Sequence, residues 1–433
     1  MKPLSKLRLA AAAIVLVSTV SMVASATSST AAQTPAGSGT HLSWAGSWAA
    51  ATTAAEPAGS SHTGFANQSI RMVVHLSVGG DKVRIRLSNA FGLSALAIGH
   101  ATVAKPAAGA TSVSDIDPTT VHDLTFEGKT SASILVGDEL LSDPVDLRVG
   151  DVQNLVVTVF LPTATGPVTW HAISRENSFI GPGDQTTAAT GAGFTLTKTC
   201  CWYFLSGVDV LRAMPHRAVV VLGDSLADGS GNTLNANANW PDDLARRLVA
   251  QTERPALGVL NESLAGNRLD HEGTEPGAGG FPGLVQLGTN TAARLPASLF
   301  AQNRPRTVLL DLGINDIWIS DDSSAAIIAT IRRIAADAHE HGLRFVVGTL
   351  GPFQNFDTAD QIWTPEKEAN RTAVNAFLRT SHEFDGVVDF DAVLRDPANP
   401  AALRASFDSG DGIHPNDAGA QAMANAIPLG LLY

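Results

Sequence analysis

The chain is poor in cysteine, in aromatic residues and in charge. Two cysteines among 433 residues, adjacent at Cys200 and Cys201, exclude a disulfide framework, and the missing C-x-x-C motif excludes redox chemistry of that kind. For the pair itself two states stay open, a strained vicinal disulfide or two buried thiols, because adjacent Cα atoms sit only ~3.8 Å apart, below the usual bridging range. Two thiols with no nearby histidine pair do not make a metal site. Charged residues are 16% of the chain, and the 29 Lys and Arg are outnumbered by 41 Asp and Glu, for a net charge of −12. That sign argues against a phosphate-seeking surface, so neither nucleic acid nor an anionic lipid surface is expected as a partner. After the N-terminus no apolar run is long enough to span a membrane. The phosphate loop with its lysine and the G-x-S-x-G elbow are both missing, which removes the key residues of nucleotide-binding and α/β-hydrolase sites. His339-Glu340-His341 lacks the i, i+4 histidine spacing of a helical zinc site and reads as a solvated helix end.

What is present fits a compact extracellular protein: few charges, 39 glycines and much Ala, Ser and Thr. The first residues carry Lys2, Lys6 and Arg8, then the apolar stretch Leu9 to Val23, then Ala24-Ser25-Ala26, the three-part build of a secretory signal over residues 1–26. Residues 27–43 follow as a flexible leader. Secretion is expected, with no membrane span. The remaining length is too great for one ordinary domain of roughly 100 to 200 residues, and its texture changes once.

From Trp44 to about Arg212 the apolar period is two. Ile70, Met72, Val74, Leu76 and Val78 are answered by Val83, Ile85 and Leu87 across Gly79-Gly80, which predicts a hairpin on a two-glycine turn. Further short runs separated by Gly, Pro and Asp predict a β-sandwich or jelly-roll domain over residues 44–212. After Met214-Pro215 short apolar strands alternate with amphipathic segments, the pattern of a parallel sheet wrapped by helices over residues 213–433. The strands are expected at 219–222, 257–260, 307–312, 344–350 and 386–390. Helices start at Pro241 and Thr364-Pro365, and another runs from about Ser324 to His341.

In open parallel sheets a ligand site lies outside the carboxyl ends of the strands, and four such ends here carry chemistry. Gly223-Asp224-Ser225-Leu226 puts a serine hydroxyl directly after the run Val219 to Leu222. Gly266 follows the second strand in Asn261-Glu262-Ser263-Leu264-Ala265-Gly266-Asn267, and Asn315 follows the third in Gly313-Ile314-Asn315-Asp316. Asp411-Gly412-Ile413-His414-Pro415 follows the fifth. A serine hydroxyl is a poor nucleophile near neutral pH, so it needs a base such as His414, and an imidazole needs a carboxylate such as Asp411 to fix its tautomer. An acyl-transfer intermediate carries an oxyanion, for which the backbone N–H groups of Ser225 and Gly266 and the Asn315 amide are candidate donors. Asp224 and Asp228 are expected to hydrogen-bond their own loops and Asp316 to be structural, Asp408 lies farther from His414 than Asp411 does, and in the β domain Trp170 and His171 are candidate ligand contacts, with core packing the stronger expectation for Trp170.

These four blocks together resemble the GDSL, or SGNH, family of serine esterases and lipases, whose second name lists the residue types found here at Ser225, Gly266, Asn315 and His414. The likeness covers roughly residues 215–433. Ala227 departs from it, standing where a larger polar residue is frequent. The resemblance implies a flavodoxin-like three-layer fold, no cofactor, and hydrolysis of carboxylic esters through an acyl-enzyme. An all-β domain ahead of the catalytic one resembles a secreted, actinobacterial-type subgroup. The expected partner is a small-molecule or polymer-linked ester. Two further possibilities remain open from the sequence: a carbohydrate O-acetylesterase, or a protein that binds polysaccharide through the β domain.

Overall fold

The computed structural model describes residues 42–109, 113–197, 201–213, 216–356 and 362–433, so the signal segment, most of the leader, Cys200 and Met214-Pro215 lie outside the described residues. Residues 41–433 form one compact unit.

The N-terminal part is all-β. A four-stranded sheet runs in the order Leu42–Ala49, Leu205–Ala213, Lys82–Ser88, Glu139–Leu141, and a six-stranded sheet runs Thr195–Thr197, Ser178–Pro182, Gln68–Leu76, Gln153–Leu161, His100–Ala104, His122–Asp123. Their alternating apolar residues meet in one core, Ile70, Met72, Val74 and Leu76 from the larger sheet against Val83, Ile85, Val208 and Val210 from the smaller, which makes the region a sandwich.

The predicted hairpin is corrected here. Gln68–Leu76 pairs with Gln153–Leu161 and Ser178–Pro182, whereas Lys82–Ser88 pairs with Leu205–Ala213 and Glu139–Leu141. The two glycines therefore carry the chain from one sheet to the other. A Cβ on Gly79 would lie 2.4 Å from the Val149 carbonyl oxygen, and one on Gly80 would lie 2.6 Å from that of Leu211. Two period-two runs joined by Gly-Gly look alike whether they pair side by side or face across a core, because both arrangements bury alternate residues.

The C-terminal part is a five-stranded parallel sheet with β1 Ala218–Gly223, β2 Gly258–Asn261, β3 Pro305–Asp311, β4 Arg344–Gly348 and β5 Gly386–Val388. Its order is β2-β1-β3-β4-β5, the flavodoxin-like order. Alternate residues of β1 serve the two faces. Val220 and Leu222 pack with Ile327, Ile331, Val374 and Leu378 of helices α2 (Ser324–Glu340) and α3 (Pro365–Thr380). Val219 and Val221 pack with Leu244, Leu248, Ala420 and Met423 of α1 (Trp240–Ala250) and α4 (Asp417–Ala426). The helix starts follow the expected capping chemistry, with Asn239, Ser323, Thr364 and Asn416 each accepting a backbone N–H of the first turn.

The sandwich closes the open edge of this sheet. A Cβ on Gly46 would stand 2.8 Å from Leu260 Cδ1, and one on Gly258 only 2.1 Å from the Gly46 carbonyl, so glycine on both sides permits the two backbones to touch. The Val259 N–H donates to Ser77 Oγ at 2.9 Å. An edge strand that would otherwise invite pairing is thus covered by the other half of the molecule. Among the described residues no helix is long and apolar enough to cross a membrane.

Candidate active site

β1 is apolar and buried throughout, and its end is shaped by close packing. A Cβ on Gly223 would meet Ala227 Cβ at 2.6 Å and Ser263 Oγ at 2.7 Å. The Asp224 carboxylate then caps the Leu226 N–H at 3.0 Å, so the chain turns at once into the short helix Ser225–Asp228 and leaves Ser225 at the tip of the strand. Far along the chain, Asp408 accepts the N–H groups of Gly410 and Gly412. This gives Asp408 a loop-building place. Gly412 has φ +85° and a Cβ there would lie 2.3 Å from the Asn355 backbone, so only glycine lets this loop pack against that segment.

The two segments meet. His414 Nε2 lies 2.8 Å from Ser225 Oγ, and His414 Nδ1 lies 2.6 Å from Asp411 Oδ2. The other Asp411 oxygen accepts the N–H groups of Ile413 (3.1 Å) and His414 (2.9 Å). Burial works to raise the Asp411 pKa, but the hydrogen bonds from the His414 ring and backbone outweigh it and lower the carboxyl to about 2.

Ser225, Gly266, Asn315 and His414 all line one cavity of 240 Å³, whose other walls include Leu264, Leu287, Trp318, Phe356 and Ile413. Gly266 has φ +75°, and a Cβ there would strike Leu287 at 2.4 Å. Among the described residues no group accepts from the backbone N–H of Ser225 or Gly266, so two donors stand ready at the cavity. Asn315 is placed differently from the simplest expectation. Trp318 Nε1–H donates to its Oδ1 at 2.8 Å and fixes the amide, while its Nδ2 donates to the Asn267 carbonyl at 3.0 Å and to Asp224 Oδ2 at 3.2 Å. Burial, and after it the neighbouring Asp311 carboxyl, raises Asp224 well above the usual carboxylate range. The longer of the two Asn315 bonds ends on this carboxyl.

Asp316 stays structural, its carboxylate accepting the Leu269 N–H at 2.9 Å. Trp170 sits in the sandwich core, stacked on Tyr203 with ring centroids 6.0 Å apart. His339 pairs with Asp385 and His341 stacks on Phe300. Among the described residues no group of three or more His, Cys, Asp or Glu is placed to hold a metal ion. Cys201 is buried and disulfide-bonded. The sequence offered His171 as a candidate ligand contact, and it walls the cavity from the sandwich together with Ala172 and Ile173, which the sequence did not mark. Nor did it show that Asp228 would join them, with His171 Nε2 on Oδ1 and the Ala265 N–H on Oδ2, both at 2.9 Å.

Residues 221–422 match the model of the GDSL-like lipase/acylhydrolase family. No curated protein matches the chain. Among solved structures it is similar to a family two carbohydrate esterase from Clostridium thermocellum in complex with cellohexaose, at 14% identity over 88% of this chain and 91% of that one, with a TM-score of 0.35. It is also similar to a GDSL-like lipase from Bacteroides thetaiotaomicron, at 14% identity over 50% of this chain and 87% of that one, with a TM-score of 0.36.

Proposed function

We propose that the GDSL-like lipase/acylhydrolase domain to which residues 221–422 belong works in this chain as a secreted serine esterase on carboxylic esters. The observation that carries this reading is the unbroken hydrogen-bond chain from Ser225 Oγ through His414 to Asp411, at 2.8 and 2.6 Å, beside two unengaged backbone donors. Ser225 Oγ attacks the ester carbonyl as its proton passes to His414 Nε2, and the Asp411 carboxylate stabilises the imidazolium so formed. The tetrahedral oxyanion takes hydrogen bonds from the N–H groups of Ser225 and Gly266. Asn315 Nδ2 adds a third by releasing Asp224. Collapse expels the alcohol, which leaves with the proton from His414, and water attacks the acyl-enzyme by the same route in reverse.

The cavity favours a short acyl group. At 240 Å³ it is smaller than the usual ligand pocket of about 300 to 1,000 Å³, and apolar side chains dominate its wall. The alcohol part, small molecule or polymer-linked, is left open by this wall. A fluorophosphonate should label Ser225 alone and leave Ser225→Ala unlabelled, and that variant should lose ester turnover by about 10⁴-fold or more. Unchanged turnover in Ser225→Ala overturns the reading. Across p-nitrophenyl esters from acetate to palmitate, run beside acetylated xylan, the short acyl groups should be preferred. Residues 1–26 are read as an export signal, so the protein recovered from the culture medium should begin after Ala26 or a little later.

A further inference from the structure

The histidine that the sandwich contributes to the cavity is surrounded in an unusual way. His171 is 1% exposed. Its Nδ1 lies 2.8 Å from the Ala51 carbonyl oxygen, and its Nε2 lies 2.8 Å from that of Ile173 and 2.9 Å from Asp228 Oδ1. Every partner of both ring nitrogens is an acceptor. A neutral imidazole would aim a lone pair at a carbonyl oxygen in a sealed site, so the ring must carry both protons. An imidazolium has no lone pair to offer and cannot serve as a base. Its effect is therefore exerted through what it holds.

It holds Asp228, which is 5% exposed and closes the short helix that begins at Ser225. The second oxygen of Asp228 accepts the Ala265 N–H at 2.9 Å, one residue before Gly266. Asn261 Nδ2 donates back to the Ala227 carbonyl at 2.9 Å, so the helix is tied both to the end of β2 and to the loop after it. Of the two ties only the Asp228 one reaches into the sandwich. The Asp228 carboxylate alone would be a buried charge free to turn away from the amide. With a cation fixed by two carbonyls on its other oxygen, it has one orientation.

We infer that His171 is a positioning residue for acyl transfer: held as a cation by the Ala51 and Ile173 carbonyls, it locks Asp228 onto the Ala265 N–H and so sets the Gly266 N–H at the oxyanion position. The sandwich thereby completes the donor set of the other half of the molecule. The inference rests on the serine-esterase reading above.

The test uses the full chain, with p-nitrophenyl acetate as substrate and a fluorophosphonate to count competent serines. His171→Gln and Asp228→Asn should each lower kcat per titrated serine by about 10- to 100-fold while KM stays within about threefold, since a displacement of about 1 Å in a donor has effects of that size. Affinity for a boronate that forms a tetrahedral adduct should fall with kcat. The double variant should be no worse than Asp228→Asn alone, because the two residues act as one chain. Variants that melt earlier yet keep the parent kcat per titrated serine overturn the inference. If neither variant folds, nitrogen NMR of the parent decides: both His171 nitrogens should be protonated at neutral pH, and a single-proton ring there overturns it. Failure of the parent itself to label or turn over would instead remove the esterase reading.

Discussion

Two histidine–aspartate pairs each present their histidine to the same cavity, and they are built for opposite tasks. His414–Asp411, with side chains 18% and 43% exposed, opens to solvent, whereas His171–Asp228, at 1% and 5%, is sealed. Both have an imidazole nitrogen within 3 Å of a carboxylate oxygen. The difference lies at the other nitrogen. His414 meets a serine hydroxyl, which can give a proton or accept one, while His171 meets a carbonyl that can only accept. One ring is free to cycle between neutral and charged forms, and the other is confined to the charged form. A histidine beside an aspartate is therefore not a base until the partner of its second nitrogen is known.

Replacing each aspartate by its amide breaks the comparison in different places. Asp411→Asn presents an N–H where His414 needs an acceptor, which stabilises the wrong tautomer. Turnover of p-nitrophenyl acetate should fall by about 10⁴-fold with little change in KM. Asp228→Asn leaves that tautomer alone, and its smaller loss, set out above, should separate the two pairs by about two orders of magnitude. The oxyanion side falls between these two losses: Asn315→Ala should lower kcat by about 100- to 1,000-fold, and because it strips a buried amide from Trp318 and Asn267 the melting temperature should fall as well. If the Asn315 amide stays on Asp224 throughout turnover, kcat for this variant will instead be close to the parent value.

The parallel-sheet half was legible because its signals are local and the sheet arranges them. Strands were expected at 219–222, 307–312 and 344–350 and lie at 218–223, 305–311 and 344–348, since parallel strands buried on both faces read as continuous apolar runs. Four loops after such strands must then converge, whatever the helices between them do. The sandwich was legible as β and illegible as topology. The alternation that marks Ile70 to Val78 says which side chains are buried, but not whether the strand across the core or the strand alongside comes next. His171 and Asp228 belong to the second kind of information. They lie 57 residues apart in sequence and meet only because the sandwich lies against the β2 edge, which no local pattern announces.

The smallest predicted effect concerns stability at the two ends of the pH scale, where the pairs should fail separately. Asp411 is lowered in the fold to about 2 from an ordinary carboxyl near ~3.9. Its pairing therefore stabilises the fold above ~4 and is lost as pH falls through about 2. His171 moves the other way. Burial opposes its charge, but the Asp228 carboxylate and the two carbonyls outweigh burial and raise it to about 9 from an ordinary value near ~6.5. A raised base stabilises fully below its unfolded pKa and loses that contribution as pH rises through the folded one. The melting temperature of the parent should thus exceed that of His171→Gln by a constant margin below about pH 6.5, and the margin should close through about pH 9. The corresponding margin over Asp411→Asn should close only toward the acid end. A margin for His171→Gln that persists unchanged into strong alkali would mean the ring is not a cation in the fold, and the two pairs would no longer differ in kind.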